Sequence, residues 1–372
     1  MSTISYYIMS LICSKCGAEF SIDSKFWRCG CGGVFDVKFS PAFPINKIMT
    51  RPHNMWRYRE ALPVSHPVSY CEGFTPIVRE KIFEKNVFLK LDYLFPSGSF
   101  KDRGASVLIS KVKELGLKYV VEDSSGNAGA AIAAYSAKAG IKCDIYVPEE
   151  ASPDKLIQIS AYGANLHVIK GTREDTAKFT MNAAKKYYYA SHIWDPYFLH
   201  GTKTFSFEVT EQLGWNPPDT IICPVGNGTL LLGAYLGFKE LKEESIIDHI
   251  PRIIGVQTDS CSPLSEAWKK GNKTYSKIIK KPTIADGISI AEPVRGFQIL
   301  NAVKQTNGEI ISVSENQILK ALKIAFRKGY YIEPTSATAL AGLNMLNDIG
   351  ETIIPLTGSG LKSTEKIGRI LT

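Results

Sequence analysis

Short apolar runs alternate with longer amphipathic segments along most of the chain. Apolar runs of about four to eight residues bounded by turn residues predict buried strands, and longer stretches with a helical period predict helices. We predict strands at 77–79, 86–91, 119–122, 143–147, 166–169, 220–223, 252–257 and 352–356. We predict helices at 105–115, 128–139, 153–161, 174–187, 204–213, 230–244, 315–328 and 337–347. This alternation is typical of an α/β fold with mostly parallel sheets flanked by helices.

A Pro-Ser-Gly-Ser turn at residues 96–99 joins the predicted strand at 86–91 to the predicted helix at 105–115. It places Lys101 at the entry to that helix. Because the N-terminus of a helix carries partial positive charge, the neutral amine is favoured over the ammonium there. A neutral lysine can form a Schiff base with a carbonyl compound. Taken alone, the pattern more often marks a surface lysine in a helix-initiating turn.

Two glycine-containing loops follow other predicted strands and precede helices. Residues 123–129 expose backbone N–H groups and polar side chains that can grip a carboxylate, and Asn127 can also reach a ring hydroxyl. Plain helix capping is the alternative interpretation of this loop. Residues 224–229 contain Gly226 and Gly228, which allow the backbone to wrap closely around a phosphate. A simple tight turn is the alternative there.

A third loop begins at Thr357, after the predicted strand at 352–356. A neutral hydroxyl in that position can hydrogen-bond a pyridine nitrogen. Together, the imine-forming lysine, the phosphate loop, the asparagine and this hydroxyl fit one ligand, pyridoxal 5′-phosphate (PLP). Each follows a strand, and the carboxyl ends of parallel strands are where α/β sheets bind ligands. The candidate cofactor-binding residues are Lys101, Asn127, Gly226, Asn227, Gly228, Thr229 and Thr357, and Lys101 is the candidate catalytic residue.

Four cysteines near the N-terminus have the spacing of metal ligands. They form a Cys-x2-Cys pair and a Cys-x-Cys pair, and the glycines that follow permit tight turns: Cys13, Cys16, Cys29 and Cys31. Two such pairs can converge on one tetrahedral zinc ion, with no position left for a substrate. The spacing therefore predicts a structural Zn²⁺ site; empty or oxidised thiols are the alternative. Residues 38–76, rich in Pro and aromatics, predict a connector on the surface of the next domain.

Composition narrows the function classes. The 372-residue chain carries a net charge of +8, but its Lys and Arg residues are dispersed, and no basic run interleaved with aromatics indicates nucleic-acid binding. It contains no apolar stretch long enough for a transmembrane helix, and residues 1–12 do not resemble a signal peptide. The remaining four of the eight cysteines are scattered in apolar contexts, as expected for a protein of the reducing cytoplasm.

The chain resembles the fold type II (tryptophan-synthase-β-like) PLP enzymes and, within them, the threonine synthase family of the archaeal and plant type. Matching segments span nearly the whole chain. They are the cysteine segment and residues 55–58, 62–64, 72–76, 96–104, 124–127, 201–204, 226–228, 333–337 and 356–358.

The resemblance implies that Lys101 is the Schiff-base lysine and proton shuttle and that Asn127 bonds the cofactor 3′-oxygen. Gly226 to Thr229 would hold its phosphate, and Thr357 would face its ring nitrogen. The implied substrate is a small amino acid, with candidate ligands Ser124, Ser125, Gly126, Asn127 and Lys203.

The resemblance also implies a domain organisation and a homodimer. Residues 1–40 would form the zinc-ribbon-like knuckle, 41–105 with 200–372 the large PLP-binding domain, and 106–199 a small mobile domain that closes over the substrate. No nucleic acid or membrane partner is expected. The implied activity is conversion of O-phospho-L-homoserine and water to L-threonine and phosphate.

Three departures concern the substrate half of the site. In the stretch 192–204 the family's phosphate-holding arginine is replaced by Phe198, and its Asn-Ser pair by His192 and Ile193. The turn at 283–288 is more similar to that of threonine or serine dehydratases, and the ending 357–363 is altered. His192, His200 and Lys203 could bind an anion, although packed or surface positions are expected for both histidines.

Two alternatives therefore stay open. One is a PLP enzyme that eliminates water from threonine or serine, or replaces a group on an activated serine. The other is a catalytically silent relative whose zinc knuckle binds a partner.

Overall fold

The computed structural model describes residues 9–149, 151, 153–171 and 173–371. Thirteen strands in three sheets and thirteen α-helices lie within this part of the chain. The strands are β1 (Ser10–Cys13), β2 (Glu19–Ser21), β3 (Phe35–Lys38), β4 (Ile77–Ile82), β5 (Lys85–Lys90), β6 (Tyr119–Glu122), β7 (Lys142–Pro148), β8 (Asn165–Ile169), β9 (Tyr188–Tyr189), β10 (Thr220–Pro224), β11 (Arg252–Thr258), β12 (Glu309–Val313) and β13 (Thr352–Pro355).

The helices lie mainly between the strands and cover the sheets. They are α1 (Ile45–Met49), α2 (Lys101–Glu114), α3 (Asn127–Ala139), α4 (Pro153–Ala161), α5 (Arg173–Ala183), α6 (Pro196–Thr202), α7 (Thr204–Gln212), α8 (Thr229–Glu243), α9 (Pro263–Lys269), α10 (Gly296–Gln305), α11 (Glu315–Arg327), α12 (Pro334–Leu343) and α13 (Thr364–Leu371). Short 3-10 helices occur at Met55–Ala61, Asp92–Leu94, Asp286–Ile288 and Gly360–Ser363. Within the described ranges, no helix is both long enough and apolar enough to cross a membrane.

The largest sheet has six strands in the order β12-β11-β10-β13-β5-β4. All neighbouring pairs are parallel except β4 and β5. Its central strands are short apolar runs; β10 and β13 are buried along their whole length because helices cover both faces. Two hydrophobic clusters flank this sheet.

The second sheet has four parallel strands in the order β8-β7-β6-β9. It is built entirely from the segment between residues 119 and 189, so the chain leaves the large sheet after β5 and returns to it at β10. The Ala-rich helix α3 packs closely beside it, since most of its residues are small and buried. Helix α2 runs continuously through the predicted domain boundary at 105/106.

A small antiparallel sheet with the order β2-β1-β3 carries the N-terminal cysteines: Cys13 ends β1, and the other three lie in the turns between the strands. This ribbon shares a hydrophobic cluster with α2, α3 and the four-stranded sheet through Leu11 and Phe35. The 1–40 knuckle prediction thus falls on a compact ribbon, except for residues 1–8, which lie outside the described residues.

The α/β fold with mostly parallel sheets is confirmed. Several details were predicted wrongly. The helix expected at 174–187 ends at Ala183, because Tyr188 and Tyr189 pair with β6 as the edge strand β9. Residues 38–76 do not lie only on the surface: the 3-10 helix at Met55–Ala61 buries Met55 and Tyr58 completely. Helices α6, α9 and α10 and strand β12 were not predicted.

Candidate active site

A cavity of about 400 Å³ is lined by residues that follow strands of both parallel sheets. From the four-stranded sheet come residues after β6, β7, β8 and β9, and from the six-stranded sheet residues after β10 and β13. Carboxyl ends of parallel strands meet at one edge of a sheet, which explains the convergence of these loops. The predicted cofactor residues Lys101, Asn127, Gly226, Asn227, Gly228, Thr229 and Thr357 all line this cavity.

Lys101 is the first residue of α2, and its Nζ donates a hydrogen bond to Thr229 Oγ1 at 3.1 Å. The pKa of Lys101 is lowered to about 8, mainly by burial and also by the nearby Arg173, while Glu122 and Glu333 act in the opposite direction. The helix N-terminus was predicted to favour the neutral amine, whereas desolvation is the main cause in the structure. About a fifth of this amine would therefore be neutral near pH 7.4, far more than for an ordinary lysine.

The glycines of the loop between β10 and α8 allow it to pack closely against neighbouring parts of the chain. A side chain at Gly226 would bring its Cβ within 2.9 Å of Ile288 Cα. Gly228 has a φ of +74°, and a Cβ there would lie 2.3 Å from Ile299 Cδ1. The loop leads directly into Thr229, the first residue of α8, so backbone N–H groups of a helix N-terminus are available to an anion.

Asn127 is the first residue of α3 and, like Lys101, lines the cavity. Its Nδ2 donates to both carboxylate oxygens of Glu333 at 3.0 Å, and its Oδ1 is buried without a partner among the described residues. Glu333, just before α12, also explains why residue 358 is glycine: a Cβ at Gly358 would be 2.4 Å from Glu333 Oε1. Asn127 is thus held in place while it retains unused hydrogen-bonding capacity.

Thr357 follows β13 and is almost completely buried. Its Oγ1 lies 2.9 Å from the hydroxyl of Ser336, and Phe100 N donates to Thr357 O at 3.0 Å. The second contact ties the lysine turn directly to the Thr357 loop. A neutral hydroxyl pair at this position can hydrogen-bond a ring nitrogen without carrying charge.

The candidate substrate residues Ser124, Ser125, Gly126 and Asn127 form the turn between β6 and α3 and line the cavity. The turn is tight because Gly129 lies against it: a Cβ there would meet Ser124 O at 1.8 Å. Within the turn, Gly126 N donates a hydrogen bond to Ser124 Oγ at 3.3 Å. Hydroxyl and N–H donors are therefore concentrated where a substrate carboxylate would fit.

Lys203, the fifth candidate substrate residue, is not in this cavity. Its side chain is fully buried, and Nζ forms an ion pair with Glu240 at 2.8 Å. It also lies over the ring of Phe39, at 5.1 Å from the ring centroid. In this structure the ammonium is held in a buried ion pair and does not line the cavity.

The two histidines of the altered stretch differ. His200 is packed edge-on to Phe39 away from the cavity lining, as expected for it. His192 was expected to be packed or on the surface, but it lines the cavity, and its Nδ1 lies 2.5 Å from Glu122 Oε1. Burial, together with the nearby Lys101, lowers the pKa of His192 well below its usual range.

Other cavity residues were missed by the sequence analysis as site residues: Asp123, Arg173, Lys280, Asp286, Glu333 and Thr335. Glu333 and Thr335 lie in a segment that matched the family pattern, which was a usable signal. Arg173, by contrast, carries no motif and reaches the site only through the fold of the four-stranded sheet.

The four N-terminal cysteines also converge, at a distance from this cavity. Their sulfur atoms all lie within 4.8 Å of one another, with Cys13 Sγ 3.5 Å from Cys31 Sγ and Cys16 Sγ 3.7 Å from Cys29 Sγ. All four are free thiols. The arrangement fits one tetrahedral ion with thiolate ligands.

The residues at the cavity fit PLP. The glycine loop leads into a helix N-terminus at the cavity, the buried Asn127 Oδ1 is unpartnered among the described residues, and a lysine with a lowered pKa contacts the loop at Thr229. A family model described as pyridoxal-phosphate dependent enzyme matches residues 68–358. The chain therefore belongs to the pyridoxal-phosphate dependent enzymes.

Within that family its similar relatives are threonine synthases. It is 36% identical to the threonine synthase of Methanocaldococcus jannaschii, covering 95% of this chain and 93% of the relative. It is 36% identical to that of Methanosarcina acetivorans, covering 96% and 93%. Among solved structures, a threonine deaminase from T.th. is similar with a TM-score of 0.65 and 26% identity, covering 77% of this chain and 92% of that one. The fold type II architecture is confirmed by this likeness.

Proposed function

We propose that the protein is a PLP-dependent threonine synthase, which converts O-phospho-L-homoserine and water to L-threonine and phosphate. The observation that carries the proposal is the similarity to threonine synthases, at 36% identity over 95% of the chain. The cavity supports it, because its cofactor-facing residues are those that the threonine synthase family uses in the matching motifs.

In this proposal each cavity residue has a defined task. PLP, when bound, supplies an electron sink for the amino-acid substrate. Gly226, Asn227, Gly228 and Thr229 hold its phosphate, Asn127 its phenolic oxygen and Thr357 its ring nitrogen. Ser124, Ser125 and Gly126 orient the substrate carboxylate. Lys101 moves protons on the substrate, phosphate leaves from the γ-carbon, and water adds at the β-carbon.

Lys101 is suited to that task because its amine is buried and held by Thr229 Oγ1 at 3.1 Å. An amine whose pKa lies near the working pH can both accept and return a proton. The Asn127–Glu333 contact supports the role of Asn127, since a side chain fixed on one side is already oriented toward its ligand.

The test is direct. The PLP-loaded protein is incubated with O-phospho-L-homoserine, and threonine and inorganic phosphate are measured together. Equal amounts of the two products are expected. Absence of threonine from a protein that has bound PLP would sink the proposal.

A threonine or serine dehydratase is the second candidate. Phe198 stands where the family has its phosphate-binding arginine, and the likeness to threonine deaminase extends over 77% of the chain. Incubation with threonine or serine would then give a 2-oxoacid and ammonia. The two incubations together separate the two reactions, since a synthase forms threonine and a dehydratase consumes it.

Four further features belong to this proposal. A structural Zn²⁺ bound by Cys13, Cys16, Cys29 and Cys31 is supported by the convergence of their sulfur atoms; metal analysis before and after Cys16→Ser tests it.

The division into 1–40, 41–105 with 200–372, and a small mobile domain at 106–199 is supported by the separate four-stranded sheet. A homodimer and a cytoplasmic location complete the proposal; light scattering and cell fractionation test them.

A further inference from the structure

A side chamber of about 160 Å³ adjoins the main cavity. The two share a polar lining that includes Asp123, Arg173, Asn227, Lys280 and Ser289. The chamber therefore lies directly beside the cavity that Lys101 lines.

Two cations line both spaces, and they come from different parts of the fold. Arg173 begins α5, directly after the four-stranded sheet's β8, whereas Lys280 lies between α9 and the 3-10 helix at Asp286–Ile288. Arg173 is close enough to Lys101 and His192 to lower the pKa of both. An anion in the chamber would therefore contact two cations, Arg173 from the segment of the four-stranded sheet and Lys280 from the segment of the six-stranded sheet.

Neither cation has a carboxylate within ion-pair distance among the residues that the structure describes. The nearby acidic side chains are engaged elsewhere: Asp123 accepts a hydrogen bond from Tyr189 at 2.8 Å, and Glu292 pairs with Lys277 at 3.6 Å. Charges left unpaired beside a cavity favour binding of an anionic group.

The altered stretch itself cannot supply such charges. Phe198 is completely buried against α2, where a Cβ at Gly104 would lie 2.4 Å from its ring. His192 is engaged by Glu122, and Lys203 is paired with Glu240. A dianionic phosphate needs several charge-assisted donors, so they must come from another part of the chain.

We propose that Arg173 and Lys280 bind the phosphate group of the amino-acid substrate. Arg173 comes from the segment that forms the four-stranded sheet, and Lys280 from the segment that forms the six-stranded sheet. The inference rests on the proposed function, since it assigns the leaving phosphate of that reaction to the side chamber. Because the cations belong to different segments, a bound phosphate also links them.

The experiment compares Arg173→Gln and Lys280→Gln with the unaltered protein, all saturated with PLP. Dissociation constants for inorganic phosphate are measured by calorimetry, and kcat and KM for O-phospho-L-homoserine by threonine formation. Each substitution is expected to raise the phosphate dissociation constant and KM by about tenfold. The double variant should bind phosphate more weakly than either.

Matched controls are Arg327→Gln and Lys281→Gln, which remove exposed cations outside both spaces and should change neither constant. PLP dissociation constants are measured in parallel. Unchanged phosphate binding in both cavity variants would overturn the proposal. Weakened PLP binding with unchanged KM would also overturn it, because the cations would then serve the cofactor phosphate.

The phosphate measurement does not depend on turnover. If the protein binds phosphate through Arg173 and Lys280 but forms no threonine, the anion site stands and the proposed reaction fails. If threonine forms with unchanged KM in both variants, the reaction stands and the anion site fails.

Discussion

The cofactor side and the substrate side of the cavity are built in different ways. On the cofactor side, Lys101, Asn127, Gly228 and Thr357 each lie in a short loop directly after a strand or at a helix start, so local sequence fixes their positions. On the substrate side, the stretch 192–203 that carries the family's phosphate ligands packs mostly into the interior, with Phe198 and Lys203 fully buried. A motif thus predicts a site residue well only when its own backbone forms the site.

The largest expected effect tests the cofactor side. Lys101→Ala should reduce threonine formation by about 10³-fold or more, because it removes the amine that we propose moves the protons. The measurement is kcat together with the visible absorption of bound PLP, which should change. Lys178→Ala, at an exposed lysine of α5, is the control. Full activity of Lys101→Ala would refute the role of this lysine.

The second prediction tests the substrate side. Lys203→Met leaves Glu240 buried without its partner, so we expect a loss of about 3 kcal/mol in the free energy of unfolding. KM for the substrate should stay within about twofold, because Lys203 does not reach the cavity. Denaturant unfolding and steady-state kinetics measure the two quantities.

The double variant Lys203→Met with Glu240→Leu provides the control for this pair. Replacing both charges with apolar side chains should recover most of the lost stability. A tenfold rise in KM with unchanged stability would show instead that Lys203 binds the substrate. The stated difference between the cofactor side and the substrate side of the cavity would then be wrong.

The third prediction concerns the glycine loop. Gly228→Ala should weaken PLP binding by about 100-fold, since the added Cβ would meet Ile299 and the positive φ disfavours any side chain. Gly140→Ala is a matched control, because Gly140 also has a positive φ, +66°, but nothing lies within 4 Å of an added Cβ. Equal PLP affinity in both variants would contradict a close approach of the loop to the phosphate.

The sequence predicted the fold class and which loops meet at the cavity, because both depend on local patterns. Buried runs such as β10 and β13 are continuous and apolar, and the loops after them carry glycine or hydroxyl residues. β9 was missed because two residues become a strand only by pairing with β6, which is distant in sequence.

The substrate side could not be predicted for the same reason. Lys203 pairs with Glu240, 37 residues later in the chain, instead of lining the cavity, and no local sequence pattern indicates that pairing. Arg173 and Lys280 share no motif and come together only in the folded chain, where both line the cavity and the side chamber. Positions created by tertiary contacts are invisible to motif spacing, whichever residue types occupy them.

The smallest expected effect is a shift in a pH profile, which links the two sides of the cavity. Burial lowers the pKa of Lys101 to about 8 from its ordinary 10.5. Only the neutral amine can capture the aldehyde of PLP, so the rate of uptake by the cofactor-free protein should rise about tenfold per pH unit below 8 and level off above it. Rapid-mixing absorbance between about pH 6 and 10 measures the profile.

Arg173→Gln should move the levelling point to higher pH, because the Arg173 cation disfavours the charged form of Lys101 and its removal raises the pKa of that lysine. Arg327→Gln, which lies outside the cavity, should leave the profile in place. A rate that keeps rising to pH 10 in the unaltered protein would mean that Lys101 is not desolvated. An unmoved profile in Arg173→Gln would mean that the charge of Arg173 does not influence Lys101. Arg173 would then act only on the ligand that it binds.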